Sequence, residues 1–184
     1  MIEMVSNNVN VGSGTQMSFT ENVGIGVDFK HQRMVAHYQI IENGNTIVGD
    51  IWAFQSNQTQ YLLVNGTCSV LPLSINIPNG FPTNSTKLPK TRIGRFLVDV
   101  FSFEDTSLEI NNQVLYDMSA CAIVSVSIAN KNQDGYAIAN YFEYNNSVDK
   151  TLFDLPVECQ SGNVVKLSHQ KYLNTLLPNS FKLL

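Results

Sequence analysis

A chain of 184 residues and 20.5 kDa has room for one domain or at most two small ones. Hydrophobic residues make up 43% and aromatics 10%, enough for a sizeable core, while only 14% are charged against roughly 25% in an ordinary soluble domain. The net charge of −4 and pI of 5.2 argue against a nucleic-acid partner, no apolar run approaches the ~20 residues of a membrane span, and collagen, coiled coil and full disorder are excluded.

Residues 1–22 are polar and without periodicity around Gly12-Ser13-Gly14-Thr15, which predicts an extended N-terminal arm ahead of one β domain over 23–184. The start lacks the basic and apolar regions of a signal peptide. Short β-branched and aromatic runs follow at strand spacing: Val23–Phe29, Arg33–Ile41, Thr46–Phe54, Gln60–Val64 and Thr67–Val70. Asn43-Gly44 between the second and third runs is the strongest short hairpin signal, and Asn65-Gly66 repeats it. The result is a meander. Pro72, Pro78, Pro82 and Pro89 then exclude a central strand or regular helix between Leu71 and Lys90, predicting a long ordered loop. Strands resume at Ile93–Phe103, Gln113–Met118, Ala120–Ala129 and, past the polar turn Asn130–Gly135, Tyr136–Tyr144. Gly162–Leu177 carries a partial helical pattern ended by Pro178.

Apolar side chains occupy both parities of these strands. Met34, Ala36, Tyr38 and Ile40 alternate with a second set containing Val35 and Ile41; Tyr136, Ile138, Phe142 and Tyr144 alternate with Ala137, Ala139 and Tyr141. A sheet packed on one side alternates cleanly, so both faces are covered, or one is packed and the other lines a cavity or subunit contact. A two-layer sandwich with nothing to bind fits the same pattern.

Motifs for chemistry are largely missing. Gly24-Ile25-Gly26 lacks the third glycine of a dinucleotide fingerprint, and neither a phosphate-binding Gly-Lys-Ser/Thr nor a Gly-x-Ser-x-Gly elbow occurs. His31 and His37, six apart on a presumed strand, do not share a metal, and His169 stands alone. A hydrolase using Asp28 with His31 or His37 is the weakest alternative. Asp99, Glu104, Asp105 and Glu109 cluster loosely without calcium-loop spacing, reading as a solvated strand end. Cys121 lies in an apolar run that predicts a buried, inert thiol. No catalytic residue and no metal ligand is assigned. Four sequons, at Asn57, Asn65, Asn84 and Asn145, fall in turn-like stretches and favour a secretory-pathway glycoprotein over an Asn-rich cytosolic protein with three thiols.

Taken in order, several residues resemble the ependymin-related family of secreted glycoproteins. These are Val27-Asp28-Phe29 with Gln32-Arg33, Tyr61 with Cys68, Cys121-Ala122-Ile123-Val124-Ser125 with Ile123 where the family has proline, and Tyr141-Phe142. Most specific is Phe153-Asp154-Leu155-Pro156-Val157-Glu158-Cys159, which has the F-x-x-P-x-x-C spacing. The resemblance implies a curved antiparallel sheet, a half-barrel similar to bacterial lipoprotein carriers, with a C-terminal helix. It implies a non-enzymatic protein that binds a fatty acid, phospholipid or glycolipid on the concave face, secreted or lysosomal and homodimeric. Some members bind calcium, so Ca2+ is the one candidate cofactor, and a calcium-dependent adhesion or matrix glycoprotein is the alternative. The family pattern pairs Cys68 with Cys159 and leaves Cys121 free, since no cysteine precedes Cys68. Strand residues of one parity, Met34, Tyr38, Trp52, Phe54, Phe96, Val98, Ile138 and Phe142, are the candidate pocket lining, with a core role as the competing reading.

Overall fold

The computed structural model describes residues 1–12, 14–75, 77, 83–160 and 164–166. The fold is mainly β, antiparallel and open, as expected. Its strands are β1 (Ile2–Asn7), β2 (Val9–Asn10), β3 (Gln16–Met17), β4 (Thr20–Asp28), β5 (Arg33–Glu42), β6 (Asn45–Phe54), β7 (Thr59–Val64), β8 (Thr67–Pro72), β9 (Thr86–Ile93), β10 (Phe96–Asp105), β11 (Ile110–Asp117), β12 (Ala122–Asn130), β13 (Tyr136–Tyr141) and β14 (Val165–Lys166). They fall into two compact units, one of residues 1–20 and 80–144, the other mainly of 21–79 and 145–182.

In the first unit β1, β13, β12, β11, β10 and β9 lie side by side, all antiparallel. The N-terminal residues are no arm. Ile2, Met4 and Ser6 are buried and alternate with exposed neighbours as β1 pairs with β13, Met4 opposite Ala139. Three residues of amphipathic alternation are too few to stand out beside the polar stretch that follows. On β13 the small side chains are the buried ones: Ala137 and Ala139 lie opposite Ile128 and Val126 of β12, whose bulk fills that face. Asn130 holds the β12–β13 turn to the N-terminal segment. Its amide donates to the Asn8 carbonyl (2.9 Å) and to Asp134 (2.6 Å), while its Oδ1 accepts from Asn10 N–H (2.8 Å).

The long loop predicted between Leu71 and Lys90 is interrupted by a strand, since β9 begins at Thr86; it lies at the sheet edge, where Pro89 costs no ladder hydrogen bond. The run predicted over Ile93–Phe103 is broken by a turn at Gly94-Arg95, Gly94 having φ +58°.

The second unit carries β14, β8, β7, β6, β5 and β4 in that order, with β5 to β8 antiparallel and β14 parallel to β8. The hairpin predicted at Asn43-Gly44 forms with both residues left-handed, φ 49° and 78°, and Asn65-Gly66 does the same at 51° and 73°. Such turns match the twist of the flanking strands, which is why Asn-Gly specifies them. Residues 145–160 run beside β5–β8 as two single-turn 3-10 helices, Lys150–Phe153 and Val157–Cys159, the first capped by Asp149 accepting from Thr151 N–H. Apart from Val164–Lys166, the helix predicted over Gly162–Leu177 lies outside the described residues.

Candidate functional site

The two faces of β5–β8 are chemically distinct. β5 and β6 are joined by a two-residue turn, so even-numbered residues of β5 lie opposite odd-numbered residues of β6. One face therefore holds Met34, Ala36 and Tyr38 with Ala53, Ile51 and Gly49, extended by Gln60 and Leu62 of β7 and Leu71 of β8. All are buried. The other face holds Val35, Trp52, Phe54, Tyr61, Leu63 and Cys68.

That second face is closed by the segment carrying the F-x-x-P-x-x-C spacing. Cys159 bonds Cys68 with a Cα–Cα separation of 5.2 Å, as the family pattern implies. Trp52 packs on the disulfide with Val35, Phe54, Tyr61, Leu63 and Leu155 around it, and its indole N–H donates to the Leu152 carbonyl at 3.0 Å. Phe153 is buried beneath Arg33, whose guanidinium sits 4.2 Å from the ring centroid. Arg33 Nε also donates to Asp28 at 3.0 Å, and Asp28 accepts from His31 N–H at 3.1 Å and meets His31 Nδ1 at 2.8 Å. Chiefly through the His31 bond, the Asp28 carboxyl is lowered to about 2. Asp28, Arg33 and Phe153 thus work as one lock. A side chain at Gly26 would press on Val148 (2.9 Å), so the strand leaves room there for the closing segment.

The first face is an apolar wall with two polar intrusions, Tyr38 and Gln60. Tyr38 is fully buried, with its ring over Gly49: a Cβ there would fall 2.5 Å from the phenol oxygen. Burial, with the negative charges of Asp50 and Glu21, pushes its hydroxyl pKa well above the usual tyrosine value. Glu21 is itself fully buried. Gln60, between Met34's neighbour Ala53 and Leu71, accepts at Oε1 from Ser74 N–H (2.9 Å), the Ser74 hydroxyl (3.2 Å) and Ile75 N–H (3.4 Å). Backbone N–H donors on Oε1 fix the orientation of the amide. Its Nε2 is then buried without an acceptor among the described residues. Asn112, on the buried face of the first unit, is similar, with Oδ1 unmatched among the described residues. Sequence reasoning missed Gln60; the signal was a glutamine in the same alternation as Leu62.

The eight candidate pocket residues do not converge. Met34 and Tyr38 share the buried wall, whereas Trp52 and Phe54 point to the opposite face and belong to the disulfide cluster. The single-parity choice fails because antiparallel pairing through an even-length turn inverts parity between strands. In the first unit Val98 is buried, but Phe96 is 71% exposed, Phe142, just past β13, 42%, and Ile138 43% because β13 buries its alanines.

The remaining motifs separate similarly. His31 and His37 serve different carboxylates, His37 Nδ1 lying 2.8 Å from Asp50. Asp99 pairs with Lys87 and Lys90, Glu104 with Lys131, and Asp105 caps the turn at Ser107. Among the described residues, no three His, Cys, Asp or Glu side chains could hold a metal together. Cys121 is unpaired, as the family pattern implies, yet exposed rather than buried, since it occupies the β11–β12 turn with φ 52°. The sequon residues Asn57, Asn65, Asn84 and Asn145 are all exposed. No helix of the described residues is long and apolar enough to cross a membrane.

An open antiparallel sheet, one face apolar and buried, the other sealed by a disulfide-tethered F-x-x-P-x-x-C segment, defines an ependymin-type β protein. The sequence matches the ependymin domain of amoebozoa over residues 2–180, and the chain belongs to that family. An uncharacterised protein of Dictyostelium discoideum is 30% identical over 147 residues, covering 78% of this chain and 46% of the relative, so the chain spans about half that relative's length. In fold it is similar to an uncharacterised conserved protein from Thermus thermophilus, with a TM-score of 0.54, 6% identity and 91% coverage of both chains.

Proposed function

We propose that this chain is a non-enzymatic binder of a hydrophobic ligand, a fatty acid, phospholipid or glycolipid, acting outside the cell or in the lysosome. The observation that supports this most directly is Gln60 Nε2, a donor without an acceptor among the described residues, inside a wall of Met34, Ile51, Leu62 and Leu71. Leaving a buried donor unmatched costs about 1–3 kcal/mol, which an ester or carboxyl oxygen on an otherwise apolar molecule would recover. Each CH₂ buried against the wall adds ~0.8 kcal/mol, so an eight-carbon chain contributes about 6 kcal/mol before entropic costs. The Cys68–Cys159 bridge and four exposed sequon asparagines favour an oxidising compartment.

Native mass spectrometry of the chain from a eukaryotic secretory host, before and after organic extraction, tests this. A co-purifying lipid lost on denaturation, and weakened by Gln60→Met, is expected. A bare polypeptide that takes up no added lipid would sink the reading.

A further inference from the structure

The β9–β10 hairpin carries features that the binding reading does not use. Residues 86–97 hold Lys87, Lys90, Arg92 and Arg95, four of the 11 basic residues of a chain with net charge −4, and no acidic residue. Lys87 and Lys90 are engaged by Asp99, while Arg92 and Arg95 are exposed and form no ion pair with a described residue. At the tip, Ile93 is 38% exposed, Phe96 71% and Leu97 52%. Ile93 lies opposite Phe96 and Arg92 opposite Leu97, so apolar groups project from both faces of the two-stranded tip.

We infer that this hairpin tip docks the protein on a lipid surface bearing anionic headgroups, Phe96, Leu97 and Ile93 entering the acyl boundary and Arg92 and Arg95 resting on phosphates. A protein partner covers one face of a hairpin; a wedge apolar on both faces suits a medium that surrounds it. Strand addition by a second copy is disfavoured, because the β9 edge carries Pro89, Lys87 and Lys90, residues that block edge pairing. Charge complementarity selects the anionic surface, since the basic cluster stands out against an acidic chain. This docking goes beyond the proposed lipid carriage and does not require it.

The test is flotation of the full chain with vesicles of phosphatidylcholine alone or mixed with phosphatidylserine. Binding is expected only to the mixed vesicles, falling as salt shortens the screening length from ~10 Å at 0.1 M. Arg92→Ala with Arg95→Ala should weaken it roughly 25-fold, at about fivefold per charge. Phe96→Ser with Leu97→Ser should weaken it at least about tenfold. All four positions are exposed, so circular dichroism should match the wild type for both variants. Phe96→Trp gives a direct reading: brominated acyl chains should quench its fluorescence beyond the level seen with Trp52 alone. Equal binding to neutral vesicles, absence of binding, or no effect of either double variant overturns the inference. So does a finding that the double variants abolish self-association rather than flotation. The lipid content of the same variants, measured by mass, stays unchanged if docking and carriage are separate, so either can fail alone.

Discussion

Removing the Cys68–Cys159 bridge is the perturbation whose size the structure sets most sharply. The bond spans 91 residues, and a closed loop of that length removes about 4.6 kcal/mol of chain entropy from the unfolded state. Both cysteines belong to the second unit, while the loop they close contains residues 80–144 of the first. Opening the bridge therefore releases a loop that includes most of a compact unit. A Cys68→Ala/Cys159→Ala variant avoids new thiols that could pair with the exposed Cys121. At about 2–4 °C per kcal/mol for a chain of this size, the melting temperature should drop by roughly 9–18 °C. Guanidinium titration should show the same loss in free energy. The Leu152–Cys159 segment should also loosen, exposing Trp52 and shifting its fluorescence to the red. A loss below about 1 kcal/mol, with Trp52 emission unchanged, would refute the loop-entropy argument and assign the closure of that face to side-chain packing.

Gly135→Ala should unfold or severely weaken the protein, by roughly 4 kcal/mol or more, because a Cβ there would fall 1.8 Å from the Asn8 carbonyl oxygen; thermal denaturation reads this. Asn130→Ala leaves Asn10 N–H and the Asn8 carbonyl without their partner and should cost about 1–3 kcal/mol by the same measurement. Asp28 has its carboxyl lowered from 3.8 to about 2, so its stabilisation is present above pH 3.8 and disappears as pH falls towards 2. Asp28→Asn should therefore melt below wild type at neutral pH, the two curves converging near pH 2. A constant difference across that range would dissociate the carboxylate charge from the effect.

The local grammar of this chain was readable in advance. Asn43-Gly44 and Asn65-Gly66 announced the hairpins because few other pairs tolerate two consecutive left-handed residues, and the prolines before β10 kept any central strand out of that region. The F-x-x-P-x-x-C spacing told which cysteines would join, through likeness to a family rather than through geometry. What failed was inference across strands. Met34 and Trp52 share a parity in the chain but not a face in the sheet, because the turn length between β5 and β6 inverts the relation. On β13 the pocket reading takes Ile138, yet Ala137 and Ala139 are the buried residues, their size matched to Ile128 and Val126 opposite.

Composition and turn chemistry thus determined that this is an antiparallel β protein, while the ordered resemblance to the ependymin family implied the family and its Cys68–Cys159 bridge. Each rests on interactions within a few residues or on a pattern preserved as a string. Only the tertiary structure decided that Trp52 packs on the disulfide, that Gln60 is buried with a spare donor, and that Phe96 stands in solvent beside two arginines. Those outcomes depend on register between strands far apart in the chain and on what lies across each face, and no single strand's alternation carries that information.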